Sequence, residues 1–173
     1  DLHAAREALA AAGFPGGRSL PPLVGVSQAG MEPLCQYAQR QWRNELGVPV
    51  EWDIISTGLM VDRLVAQRPA MRITSWAADF PDPDNFLAEV IFRRVFGGWN
   101  HPQYRALVEE ARSTPQQARR MSLYQAAEKI LIEEAALVPL LYARHALLLK
   151  PWVKHFPTSP LEWWFWQDVI IER

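Results

Sequence analysis

The sequence predicts an α/β protein in which helices flank a mixed sheet with at least some parallel pairing. Three observations carry that expectation. Short apolar runs rich in branched residues alternate with segments of helical period, glycine and proline punctuate each change of period, and the connections are of ordinary length. The chain has 173 residues, 49% of them hydrophobic, which is enough for one sizeable core and too few for two.

Leu2, Ala5, Leu9 and Ala12 recur at helical spacing, and Gly13 with Pro15-Gly16-Gly17 ends that helix in a left-handed cap and turn. Leu20 to Val26 reads as a buried strand whose first part is restricted by Pro21 and Pro22. Helical period returns through Leu34, Tyr37, Ala38, Trp42 and Leu46, and Gly47 follows as the C-cap. Val48 to Ile55 is the second strand. Ser56 or Thr57 can cap a helix carrying Leu59, Met60, Leu64 and Val65, which Pro69 stops. Met71 to Ala77 is the third strand, and Asp79 to Asp84, with three acids and two prolines, is a stiff loop projecting from its end. A short helix is expected within Asn85 to Phe96. Another opens at Pro102 and runs to Ala111, and Thr114-Pro115 has the capping order expected before a long helix, which runs to about Ala136 with Met121, Tyr124, Ala127, Ile130 and Leu131 on one face. Val138 to Tyr142 and Ala146 to Leu149 read as further strands. Four of the 8 tryptophans lie in the proline- and aromatic-rich tail from Pro151 onward, too much apolar surface for a solvated terminus.

Composition excludes several functions. A net charge of -1 provides no general attraction to a phosphate backbone, so nucleic acid is not an expected partner. No stretch approaches the roughly 20 apolar residues of a membrane span. His3, His101, His145 and His155 lack the spacing of a metal site, Gly16-Gly17 and Gly97-Gly98 lack the pattern of a phosphate loop, and no nucleophile elbow occurs. No cofactor or metal is expected. Cys35, the single cysteine, sits beside Leu34 and Tyr37 as a small buried hydrophobe. Asp79, Asp82 and Asp84 leave three readings open: a solvated turn, an acid-base pair, or a carboxylate that meets a cationic ligand beyond the carboxyl end of a strand.

The run from Trp76 through Ala77, Ala78, Asp79, Phe80, Pro81 and Asp82-Pro83 to Leu87 resembles the signature of periplasmic oligopeptide- and dipeptide-binding proteins, solute-binding family 5. Its neighbours match in order: Ala12-Gly13-Phe14, Leu46-Gly47-Val48, Asn100 to Ala111, the helix with Arg120, Tyr124, Ala127 and Glu128, Val138-Pro139 to Tyr142, and Lys150-Pro151-Trp152-Val153. The resemblance implies part of the second lobe of a type II periplasmic-binding-protein fold. Residues 1–150 would belong to that ligand-binding lobe and 151–173 to a tail crossing back to the first lobe. It implies a non-enzymatic, extracytoplasmic component of an ABC importer, taking a peptide with a free amine to a permease.

By the same resemblance Asp79 pairs with the peptide α-ammonium group, Trp76 lines the adjacent side-chain pocket, the backbones of Ser75 and Ala77 pair with the peptide main chain, and Tyr142 is a further ligand contact. Where some relatives place arginines for the peptide carboxylate, this sequence has Leu64 and Ile73, with Arg63, Arg68 and Arg72 nearby. The aromatic tail implies packing on another lobe, or self-association. Two other readings are a ligand-sensing domain of a transcriptional regulator with the same fold, and, more distantly, a hydrolase using Asp79 and Asp82.

Overall fold

A computed structural model describes residues 1–59, 69–88, 99–144, 146–159 and 166–172. They divide into two compact units, Asp1–Trp76 and Ala77–Arg173, each with buried apolar residues of its own, in place of the single core that the chain length predicts.

In the first unit, α1 (Leu2–Ala11) starts at Asp1, whose Oδ1 accepts hydrogen bonds from the backbone of His3 and Ala4, satisfying orphan donors of the first turn. After Gly13 (φ +90°) comes a short 3-10 turn, Pro15–Gly17, then β1 (Leu23–Gln28), α2 (Glu32–Leu46) and β2 (Val50–Ile55). Strand β1 begins only after Pro21 and Pro22, which cannot donate to a ladder, and it runs two residues further than the apolar run suggests. Helix α2 ends at Gly47 in the left-handed conformation, φ +69°, with Gly47 and Val48 N–H groups returning to the carbonyls of Arg43 and Trp42. Cys35 is buried on α2, as its neighbours predict.

Strand β3 (Met71–Ile73) completes a sheet of order β2-β1-β3 in which both pairings are parallel. Its core comprises Val26, Ile55, Val50, Ile73, Cys35 and Val48. The third strand is shorter than the expected Met71 to Ala77. Ile73 faces Ser27 in the last ladder pair, and the buried Ser27 hydroxyl donates to the Ile73 carbonyl at 2.8 Å. The chain then leaves the sheet. The expected helix after Ser56 begins as a 3-10 turn, Thr57–Leu59; its remainder lies outside the described residues.

In the second unit a one-turn helix, α3 (Asp84–Leu87), is followed by α4 (Pro102–Ser113) and α5 (Gln117–Glu133). Of the stretch Asn85 to Phe96 expected to contain a short helix, residues 89–96 lie outside the described residues. Pro102 occupies the first turn of α4, and His101 Nδ1 accepts from the Tyr104 N–H. Tyr104, Val108 and Ala111 of α4 pack with Tyr124, Ala127 and Leu131 of α5 and with Leu87. Thr114 does not cap α5. It closes α4 instead, its hydroxyl donating to the Glu110 carbonyl at 2.7 Å, and Gln116 precedes α5 without a side-chain cap.

Val138 to Tyr142 and Ala146 to Leu149 are not strands among the described residues. Leucine and valine fit a pleated surface, but a strand exists only where a ladder partner lies alongside, and here Tyr142 is 100% exposed and Leu148 94%. The tail contributes β4 (Val153–Lys154) and β5 (Ile170–Ile171), paired antiparallel. No helix among the described residues is long and apolar enough to cross a membrane.

Candidate functional site

Connections from β1 run to β2 on one side, and from β2 to β3 on the other, so β1 marks a switch point of the kind beside which open α/β sheets take ligands. Thr74, Ser75 and Trp76 leave the carboxyl end of β3 next to it, all three exposed. Trp76 is 53% exposed, so it is not a core tryptophan of its unit.

In the second unit the three acids of the loop separate into two kinds. Asp82 is held by Arg120 through two hydrogen bonds, Nη1 to Oδ2 at 2.6 Å and Nη2 to Oδ1 at 2.7 Å. Asp84 is held the same way by Arg112, Nε to Oδ1 at 2.7 Å and Nη2 to Oδ2 at 3.0 Å. Such forked pairs match planar guanidinium to planar carboxylate and fix orientation as well as charge. Tyr124 ties the two pairs together, its hydroxyl donating to Asp84 Oδ1 and accepting from Arg120 Nη2, both at 3.1 Å. Two acids are thereby balanced by two arginines.

The hydrogen bonds from Arg120 hold the Asp82 carboxyl below the usual aspartate range, against the opposing effect of its partial burial. Asp82 raises the Arg120 guanidinium in turn. Burial, reinforced by Asp84, pushes the Tyr124 phenol up. Both Asp82 carboxylate oxygens are thereby engaged by Arg120.

Asp79 stands apart. It is exposed and makes no ion pair among the described residues. Its partner is the buried Asn85: the Asp79 N–H donates to Asn85 Oδ1 at 3.1 Å, and Asn85 Nδ2 donates to Asp79 Oδ2 at 3.2 Å. Among the described residues no group donates to Asp79 Oδ1. Asp79 is therefore the acid of this loop whose charge remains to be met.

Tyr142 belongs to the exposed segment after α5, and Ser75 and Ala77 lie beyond the last ladder pair of the sheet. Arg72, on β3, is half-buried, and burial brings its guanidinium down to about 10; Ile73 is a core residue. Leu64, Arg63 and Arg68 lie outside the described residues. Sequence reasoning missed Asn85, Arg112 and the pairing role of Arg120. Only the i, i+4 spacing of Arg120 and Tyr124 pointed towards a shared face. The described residues hold no cluster of metal-ligating side chains.

The family of bacterial extracellular solute-binding proteins, family 5 (middle), matches residues 1–94. The oligopeptide-binding protein OppA of Bacillus subtilis is 31% identical over 114 residues, 63% of this chain and 21% of that protein. Heme-binding protein A of Haemophilus influenzae is 27% identical over 174 residues, 92% of this chain and 31% of that protein. The Escherichia coli murein tripeptide-binding protein MppA superposes with a TM-score of 0.87 at 24% identity, over 98% of this chain and 34% of that one. The chain thus spans between a fifth and about a third of each of these proteins, and its fold is that of the corresponding part of a type II periplasmic binding protein. With 94 of its 173 residues matched, the chain belongs to the bacterial extracellular solute-binding proteins of family 5.

Proposed function

We propose that the chain contributes part of the second lobe of an extracytoplasmic peptide-binding protein, which closes on an extended peptide with a free amine and delivers it to an ABC permease. The observation that carries this reading is the contrast among the three acids. Asp82 and Asp84 are neutralised by arginines, while Asp79 is exposed, oriented by Asn85 and without a cationic partner among the described residues. A carboxylate in that condition fits an α-ammonium group, and a charge-assisted contact of this type strengthens when closure excludes water.

Trp76, exposed past the carboxyl end of β3, supplies apolar surface for a peptide side chain, and the backbones of Ser75 and Ala77 pair with the peptide main chain in the manner of an added strand. Tyr142 is a further contact. Residues 1–150 then form the lobe portion and 151–173 the segment crossing to the other lobe; the exposed Trp152, Trp166, Ile170 and Ile171 supply apolar surface for such packing, or for self-association when no lobe is present. The relatives' names support a peptide ligand, two of them stating oligopeptide or murein tripeptide binding. One relative is named for heme, and the exposed carboxylate of Asp79 argues for an amine over that alternative.

Titration calorimetry of the complete protein with short peptides tests this. Asp79→Ala should weaken binding by about 2 to 5 kcal/mol, the cost of leaving one charge unpaired. Equal affinity of the variant and its parent would remove Asp79 from the site.

A further inference from the structure

We infer that Asn85 is the positioning residue of the proposed amine site, the group that turns the Asp79 carboxylate into a preformed receptor. This rests on the peptide reading above.

The geometry assigns the role. Both polar atoms of the Asn85 side chain meet Asp79: Oδ1 accepts from its N–H at 3.1 Å and Nδ2 donates to its Oδ2 at 3.2 Å. The orientation of the amide follows from chemistry, since a backbone N–H requires the oxygen and a carboxylate requires the nitrogen. Backbone and side chain of Asp79 are therefore held together, and one carboxylate oxygen is occupied while, among the described residues, Oδ1 is left for a ligand. Held at two points, Asp79 loses rotamer freedom before any ligand arrives, so binding need not supply that ordering.

Asn85 is itself held from below. It is 4% exposed and sits in α3. The turn before it is closed by Asp82 Oδ1, which accepts the Asp84 N–H at 2.9 Å, and by the Asp82 carbonyl, which accepts the Asn85 N–H at 3.1 Å. Asp82 and Asp84 are gripped by Arg120 and Arg112 from the packed α4–α5 pair, and the Tyr104 hydroxyl donates to the Leu87 carbonyl at 2.7 Å. A rigid helical hairpin thus reaches Asp79 through two arginines, two aspartates and one asparagine. Asp82 and Asp84, each held by an arginine, thereby fix the turn that carries Asn85.

The test uses the complete protein, an alanine tetrapeptide with a free α-amine, and its N-acetylated form. In the parent the free-amine peptide should bind much the tighter. Asn85→Ala should lower that preference by at least about tenfold while changing affinity for the acetylated peptide much less. A merely structural residue would weaken both peptides equally and leave their ratio intact, and that result would overturn the inference. Should Asn85→Ala fail to fold, Asn85→Leu keeps approximately the volume but removes both the acceptor for the Asp79 N–H and the donor to Oδ2. Its preference for the free amine should also collapse at neutral pH, and a preserved preference would count against the role. A parent that binds both peptides equally, or neither, sinks the Asp79 reading together with the inference; a parent that discriminates alongside variants that still discriminate sinks the inference alone.

Discussion

Gly47 and Gly25 are both required to lack a side chain, for different physical reasons. Gly47 adopts φ +69°, and a Cβ there would lie 2.3 Å from the Gly16 carbonyl oxygen, so conformational strain and backbone collision act together. Gly47→Ala is expected to cost about 2 to 4 kcal/mol, combining left-handed strain with displacement of a neighbouring backbone, read as a lower urea midpoint at unchanged m-value. A loss under about 0.5 kcal/mol would mean that the two turns separate at little cost. Gly25 has ordinary dihedrals, but a Cβ there would be 2.4 Å from the Trp52 ring. Helix period followed by Gly-Val announces Gly47 from the sequence, whereas nothing local to Gly25 announces a ring arriving from the paired strand β2. Asn85 has the same character: in the sequence it only opens the stretch expected to hold a short helix, and its use as a buried clamp depends on what α3 is pinned to.

Among the elements, the α4–α5 pair with α3 shows how a helix face is shared between packing and electrostatics. Tyr124 buries its ring in the core with Val108 and Leu131 and uses its hydroxyl on Asp84. Arg120, one turn earlier, lies 4.9 Å from the centre of that ring and forks onto Asp82. Because the Asp82 carboxyl is held below its unfolded value, the pair's contribution is fully present above the ordinary aspartate pKa and is lost as pH falls through the folded value. With the two side chains 19% and 27% exposed, solvent screening keeps the contribution modest. Arg120→Ala should lower unfolding free energy by about 1 to 2 kcal/mol at pH 7. The difference from the parent should shrink towards about pH 3 and below, as Asp82 protonates in both proteins. Urea titrations at the two pH values check this, and a pH-independent difference would assign the effect to lost packing on Tyr124 instead.

At the scale of the whole molecule, each unit carries its own core, one built on the parallel sheet and the other on the α4–α5 pair. The residues after α5 follow a different rule. From Val138 to Leu149 the described side chains are exposed although most are large and apolar. Amide exchange on the 173-residue chain should therefore show slow sites in α4 and α5, around Val108, Ala111, Ala127 and Leu131, and rapid exchange across 138–144 and 146–149. Strong protection in the latter segments would indicate that the chain has found a strand partner, in a second copy of itself for instance.

The alternation of strand and helix, the caps at Gly13 and Gly47, the start of α4 at Pro102 and the acid-rich loop after β3 were all readable from the sequence. Each arises from interactions within a few residues, namely side-chain period, backbone dihedral preference and missing donors. The resemblance around Trp76 to Leu87 also places the chain in its family from the sequence alone. Tertiary structure decided the rest. It ended β3 at Ile73, turned Thr114 back onto α4, and left Val138 to Tyr142 without a ladder partner among the described residues. It also sorted the three acids, because Arg112 and Arg120 meet Asp84 and Asp82 across 28 and 38 residues of chain. Sequence shows that carboxylates and guanidinium groups are present. Which of them neutralise one another is settled by the packing of the helices that carry them, and of the three loop acids that packing leaves Asp79 without a cation among the described residues.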